Sequence, residues 1–449
     1  MPANTESSPG TSSDTASRPA STPLASAPSD PVLSPKQEKH FLWLLALIQL
    51  THIADFMIMM PLGPQLKRIL SIDTHQFGQL VAAYGISASI VSLLAAGFIN
   101  RFDRKNAILG LYVCFAVATL ACSLAPNFEW LLVARSLAGG FGGLLGAMVM
   151  TGVADMIPAQ RRGEAMGIVM SAFSISTIAA VPLGLMLANW GGWHMPFLTL
   201  AGLSMAVAVV AAKVLPSMRG HLTTPQSAVS DSADDDGLWA VLTTPRYWKS
   251  YGFMVLMMMS GFTVIPYISL YMTSNVGIVD HELPLFYLLG GGATFFSARW
   301  IGRLSDRYGK VTVYRWLAAL ALIPLLALPN LPHLDAWHRI SDQHWVGLAM
   351  VALVTTSFFV LVSGRMIPGM ALVGNTAPPQ TRGVFMSVSS SIQQMGSGLA
   401  AFVGGVIVQY DAAGQMLNYP WVGIVAMITS LIAIVWVGYL PQQPSQSSR

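Results

Sequence analysis

Long apolar runs separated by short polar turns recur from Lys39 to Leu440. Each is roughly 20 residues long, the length a helix needs to cross a hydrocarbon core about 30 Å thick. The pattern predicts about twelve spans: 41–63, 76–98, 106–125, 129–154, 164–189 and 194–214, then 248–274, 284–303, 312–329, 345–374, 384–409 and 419–440. The expected fold is therefore an all-α polytopic membrane protein. Polar stretches divide it into a disordered N-terminal tail (1–38), a six-helix bundle (39–215), a linker (216–246), a second six-helix bundle (247–440) and a polar tail (441–449). The first tail is rich in Ser, Thr, Pro and Ala and cannot bury a core. It also lacks the charged-then-apolar order of a signal peptide.

Composition agrees with the pattern. Charged residues make up 10% of the chain and hydrophobic ones 53%, whereas a soluble domain carries about 25% charged residues. The net charge of +4 does not indicate nucleic acid, because the basic residues sit at helix ends and form no basic face. Arg135, Arg299 and Arg365 fall inside apolar runs, and Lys67, Arg68 and Arg339 fall on one side of the membrane. The remaining lysines and arginines all fall on the other side, which predicts cytoplasmic N- and C-termini for a multi-pass protein of the inner (plasma) membrane. Cys114 and Cys122 are eight positions apart on one helix, about 12 Å, too far for a disulfide. There is no P-loop, nucleophile elbow or metal-ligand spacing, so neither enzymatic activity nor a cofactor is expected.

The two halves repeat. "PAQRRGEAM" (Pro158–Met166) matches "PPQTRGVFM" (Pro378–Met386), and "NRFDRK" (Asn100–Lys105) matches "DRYGKV" (Asp306–Val311) in its place between spans. Parallel six-helix repeats are the design in which two bundles rock about a central site.

Candidate chemistry lies in the stretch "LIQLTHIADFMIMMPLGPQL" (Leu47–Leu66). An acid at a helix centre costs about 2.5–3.5 kcal/mol, and such residues mark proton or substrate paths. Burial disfavours a carboxylate and a neighbouring arginine favours it. If Asp55 moves between such settings, it can load and release a proton. The alternative is an acid held permanently by a buried arginine, keeping two helices in register. His52 lies one helical turn earlier on the same face, as relay or as a neutral partner of a neighbouring group. Gln49 precedes it by another turn, and Phe56 with Met59 continues the face as an adaptable apolar wall or as ordinary packing. Arg135 and Arg365 cannot neutralise themselves. Arg365 is a candidate substrate contact, a lipid contact or half of a structural pair. Pro182 can kink the fifth span, and Gly184 permits close packing. Trp190, Trp193 and His194 are expected to anchor the outer membrane interface.

Four motifs give the chain a likeness. "GRLSDRYGK" (Gly302–Lys310) resembles the signature between the second and third helices of each half in the major facilitator superfamily. Its first-half counterpart, "AGFINRFDRK" (Ala96–Lys105), departs from it at Ala96, Asn100 and Asp103. "ARSLAGGFGG" (Ala134–Gly143) resembles that family's fourth-helix motif. "AVPLGLMLANWGGW" (Ala180–Trp193) resembles the antiporter motif of the fifth, with Val181 replacing a glycine. Together with "DFMIMMPLGP" these are most similar to the bacterial drug:proton and arabinose-efflux-like branch. The resemblance implies a cytoplasmic latch from Asn100, Arg101, Asp103 and Arg104 and from Gly302, Asp306, Arg307 and Lys310. It also implies that Arg135 tunes Asp55. The expected function is proton-coupled efflux, by antiport, of a small organic molecule through rocking bundles. The alternative is proton-linked import, or uniport, of a sugar or other small metabolite. The expected partners are the substrate, protons and the bilayer, with the chain acting as a monomer and binding no nucleic acid.

Overall fold

The computed structural model describes residues 34–95, 103–158, 161–216, 218, 239–335, 344–378 and 381–440. Asn100, Arg101, residues 1–33 of the first tail, most of the linker and the second tail lie outside the described residues.

The first half contains α1 (Pro35–Ile58), the short α2 (Gly63–Leu70), α3 (Thr74–Ala95), α4 (Arg104–Ser123), α5 (Phe128–Met156), α6 (Arg162–Ile175), α7 (Val181–Gly191) and α8 (His194–Val214). The second contains α9 (Pro245–Phe262), α10 (Ile268–Tyr271), α11 (Leu283–Tyr308), α12 (Lys310–Ala327), α13 (His344–Gly364), α14 (Met366–Gly374), α15 (Arg382–Ile407) and α16 (Tyr419–Trp436). A two-residue antiparallel pair, β1 (Gln409–Tyr410) and β2 (Met416–Leu417), joins the last two helices.

Local signals set the helix starts. Ser34 and Gln37 form a reciprocal capping box ahead of Pro35, which satisfies backbone donors that α1 leaves open. Asp103 caps α4 through the Lys105 amide at 3.1 Å, and Asn127 caps α5 through the Trp130 amide at 2.9 Å. Gly192, at φ +86°, turns the chain between α7 and α8 where a side chain would be strained. That turn separates the expected anchor residues. Trp190 is 80% exposed, but Trp193 is fully buried with its ring 3.8 Å from that of His194. Trp190 and His194 are exposed, as anchors must be, and Trp193 alone points inward.

Among the described residues ten helical segments are long and apolar enough to cross a membrane. The other two spanning helices, α11 and α15, have 26 residues each and are more polar. Both lie on the seam between the halves: α15 packs on α3, and α11 packs on α7 and the π-helical turn Ser176–Ala180 before it. A helix that packs its polar residues against protein need not be apolar all round.

Among the described residues the seam is closed at one face of the bilayer only. Successive spans alternate in direction, so Pro35 and Leu440 share one side, called the tail face. At the opposite face a single apolar core joins the halves: Ile58, Met59 and Leu62 pack in one cluster with Val264, Tyr267, Leu270 and Phe286. Toward the tail face the cores separate. One cluster, from Phe41 to Met218, belongs to the first half, and another, from Val241 to Leu440, to the second. Polar bonds follow the same division. At the opposite face Thr74 donates to the Val408 carbonyl (2.6 Å), Ser269 to that of Met60 (3.1 Å) and Asn189 to that of Asp280 (3.0 Å). Arg68 forms an ion pair with Asp280. At the tail face the ion pairs Arg161–Glu38 and Arg104–Asp155 stay within the first half. In the rocking-bundle design this is the state closed at the opposite face.

Small residues let the backbones meet. An added side-chain carbon on Gly85 would stand 2.7 Å from the Gln394 carbonyl, and one on Gly291 2.7 Å from that of Thr177. Gly139 sits against the Tyr84 backbone, between α5 and α3. Overpacking of this kind costs about 1–3 kcal/mol. Gly139→Ala is expected to lower the unfolding temperature of the purified protein by several degrees. Gly110→Ala, where nothing lies within 4 Å, is expected to leave it unchanged or slightly raised. Equal melting of the two variants would contradict this packing.

Candidate functional site

The site forms where the last turns of α1 meet the start of α5. Both chain segments are apolar, so the helices insert and carry their charges in with them. Arg135 Nη1 donates to Asp55 Oδ2 at 2.8 Å and to the Asp55 carbonyl at 3.3 Å. Both side chains are 0% exposed. The pairing lets each charge offset the other's cost of leaving water, and removing one partner strands the other. Above the guanidinium lies the Tyr84 ring, 4.6 Å from Arg135 Cζ to the ring centre, and the Phe197 ring is 5.9 Å away. Aromatic faces at this range attract a cation.

Tyr84 links this pair to His52. Its hydroxyl lies 3.2 Å from His52 Nδ1 and 3.3 Å from the His52 carbonyl. Glycines of α5 form the socket. A side-chain carbon on Gly142 would stand 2.5 Å from the Tyr84 hydroxyl and one on Gly146 3.0 Å from His52 Nε2. The glycine-rich fourth-span motif thus admits an imidazole and a phenol beside the helix.

Several polar atoms here are buried without hydrogen-bond partners among the described residues: Asp55 Oδ1, Arg135 Nε and Nη2, and Gln49 Oε1. Chemically this is a carboxylate with one oxygen held by a permanent cation and the other able to accept a proton. An imidazole and a phenol lie within one helical turn of it.

The aromatic contacts continue across the seam. Phe56 packs on Tyr84 at 5.2 Å and on Phe262 of α9 at 5.9 Å. The residue after Tyr84 is Gly85, midway along α3, whose backbone seats against Gln394 and Gly398 of α15. Tyr84 therefore touches Arg135 and the histidine, and the next residue packs on the other half. Sequence reasoning missed it, because a tyrosine in an apolar span reads as ordinary packing or as an interface residue.

The structure brings together Asp55, Arg135 and His52, with Gln49 beside Gly146 on the same side of α1. Met59 lies apart, fully buried in the core shared by the halves. Arg365 also lies apart. Its two hydrogen-bond partners, Ser260 and Ser430, are both in the second half. In the fifth span the π-helical turn Ser176–Ala180 precedes Pro182, and Ser176 donates to the Leu50 carbonyl at 3.2 Å. Gly184 gives α7 room against Ile58, whose side chain would collide with any Cβ there.

The two copies of the loop motif behave differently. Asp103 caps its own helix, and Arg104 is buried and pairs with Asp155 at 2.7 Å. Asp306 and Arg307 are exposed, with the Arg307 guanidinium 5.3 Å from the Tyr308 ring. A side-chain carbon added to Gly302 would meet nothing within 4 Å, and Lys310 opens α12. Among the described residues Asp306, Arg307 and Lys310 make no bond to the first half in this closed-opposite state.

Comparison with known proteins agrees with the architecture. The sequence profile of the Major Facilitator Superfamily matches residues 45–366 and, overlapping, 253–449. The chain is 25% identical over 387 residues to the inner membrane transport protein YdhP of Escherichia coli (strain K12), covering 84% of this chain and 90% of that one. It is 25% identical over 246 residues to a chloramphenicol resistance protein of Streptomyces lividans, covering 55% of this chain and 62% of the other. In three dimensions it resembles a D-xylose-proton symporter with a TM-score of 0.68 at 14% identity, covering 87% of this chain and 96% of that one.

Proposed function

As this chain belongs to the Major Facilitator Superfamily and is therefore a secondary transporter of a small molecule, we propose that it exports a small organic compound in exchange for protons. The observation that carries this reading is the fully buried Asp55–Arg135 pair, with one carboxylate oxygen unpartnered and His52 and Tyr84 beside it. Asp55 binds the proton, Arg135 tunes its release, and His52 with Tyr84 positions the pair. Gln49 lies beside them on the substrate side of α1. The relative named for chloramphenicol resistance supports export of a moderately hydrophobic compound and assignment to the drug:proton branch. The bundles 39–215 and 247–440 rock about the site. The tail face, with both termini and the linker 216–246, is cytoplasmic, and the membrane is the inner (plasma) membrane.

Coupling needs the proton site to feel the rocking. Tyr84 supplies this link, since its neighbour Gly85 moves with the seam while its hydroxyl holds His52. Tyr84→Phe keeps the ring on Arg135 and loses only the hydroxyl. A hydrogen bond contributes about 0.5–1.5 kcal/mol, so coupled transport is expected to fall roughly 2- to 12-fold at normal expression and folding. Transport at the wild-type rate in proteoliposomes would remove Tyr84 from the coupling.

The functional test is a resistance and efflux screen in an efflux-deficient strain, covering chloramphenicol, other apolar toxic compounds, sugars and amino acids. Export predicts lower intracellular accumulation of at least one apolar compound, abolished by a protonophore. Raised uptake of a sugar, with no compound exported, would favour the import alternative.

A further inference from the structure

Arg365 is the one fully buried cation, among the described residues, that the proton site does not use. It is 0% exposed and sits where the tenth span is interrupted, between α13 and α14. Unlike Arg135 it has no carboxylate within ion-pairing distance among the described residues. Its Nη1 donates to Ser430 Oγ at 2.8 Å and its Nη2 to Ser260 Oγ at 2.6 Å. Neither serine brings charge, and a guanidinium cannot deprotonate.

The donors outnumber the acceptors. Arg365 Nε has no partner. The Tyr314 hydroxyl is buried without a partner, and its ring packs on Gly369 one turn beyond Arg365, 3.4 Å from the place a Cβ there would take. Ser260 spends its own proton on the Met257 carbonyl at 3.0 Å, whereas among the described residues Ser430 makes only the side-chain bond it accepts from Arg365. Three of the five guanidinium N–H donors, Nε–H among them, and the Tyr314 and Ser430 O–H groups are thus left without an acceptor around an uncompensated positive charge. A water molecule could accept from them but would bring no charge. Isolated buried charges cost several kcal/mol.

We propose that Arg365, Tyr314 and Ser430 bind a small monovalent anion of the halide class inside the second bundle. The size follows from enclosure: Arg365, Tyr314, Ser260 and Ser430 are each 0% exposed. They come from α9, α12, the α13–α14 junction and α16, so an organic anion could enter only by parting that bundle. The ion neutralises the guanidinium and ties α12 and α16 to the α13–α14 junction. A ligand that binds only the folded state stabilises it by mass action.

The test uses the purified full-length protein in detergent. Thermal unfolding is followed in sodium chloride, sodium bromide and sodium gluconate at constant ionic strength, with direct binding of radiolabelled chloride alongside. The expected result is a saturable rise in unfolding temperature with chloride and bromide, absent in gluconate. Tyr314→Phe and Ser430→Ala each remove one neutral donor, and the half-saturating chloride concentration is expected to rise about tenfold in each. Arg365→Gln is expected to abolish binding; if it fails to fold, the two hydroxyl variants carry the test. Absence of saturable halide binding to the wild type would overturn the proposal. So would unchanged half-saturation in both hydroxyl variants. Competition by acetate at concentrations where chloride does not bind would assign these donors to an organic carboxylate and overturn the halide assignment.

Discussion

Asp55→Asn is expected to collapse gradient-driven substrate accumulation to unity while leaving the protein folded. Exchange of one proton for one neutral substrate draws on both parts of the proton gradient. One pH unit supplies about 1.4 kcal/mol and 100 mV about 2.3 kcal/mol per charge. The sum, about 3.7 kcal/mol, sustains a concentration ratio of roughly 400 at 1.4 kcal/mol per decade. An amide cannot cycle a proton, so the variant can only equilibrate its substrate. An amide keeps the volume and still offers an oxygen to Arg135 Nη1, the donor now 2.8 Å from Oδ2; it also strands the guanidinium's charge, so the ratio is read on the folded fraction. The measurement is the steady-state ratio in proteoliposomes under an imposed gradient, per folded transporter. A ratio far above one in the variant would remove Asp55 from the coupling.

The second large effect concerns the pair itself. Arg135→Ala leaves Asp55 buried without a counter-charge at a site with 0% exposure. Breaking a buried pair from one side costs about 3–5 kcal/mol, enough to deplete the folded population. Asp55→Asn placed in the Arg135→Ala background removes the stranded charge. The double variant is therefore expected to be more stable than Arg135→Ala alone, by at least about 1 kcal/mol, since contacting residues couple by about 0.5–3 kcal/mol. Unfolding of the two single variants and the double variant closes the cycle. Strictly additive losses would mean that the two side chains are energetically independent despite their contact.

The architecture was legible because membrane spans announce themselves. Apolar runs of helix length leave few alternatives, and the recurrence of "PAQRRGEAM" as "PPQTRGVFM" exposes the repeat. The meeting of Asp55 and Arg135 was legible for the same reason: a charge stands out in an apolar helix, and each needs the other. Tyr84 was hidden because its role comes from three neighbours on two other helices, none near it in sequence. Trp193 misled because a tryptophan at a span end reads as an anchor, and only the turn at Gly192 shows that it points inward. Met59 read as a cavity wall from its face of α1, yet the opposite-face closure buries it in the joint core. The bonds that close that face, from Arg68, Gln65, Asn189 and Asp280, were likewise invisible. Gln65 and Arg68 lie in α2 and Asn189 near the end of α7, where polar side chains read as ordinary interface residues until Arg68 and Asn189 are brought onto Asp280.

Antiport at Asp55 is tested most directly by the proton itself. Substrate is added to one side of proteoliposomes without an imposed gradient, and the pH of the lumen is followed with a trapped dye. Exchange predicts proton movement opposite to substrate movement, one proton leaving as one substrate enters, and no substrate-induced pH change in Asp55→Asn. Protons moving in the same direction as the substrate, or an undiminished pH change in Asp55→Asn, would contradict the account.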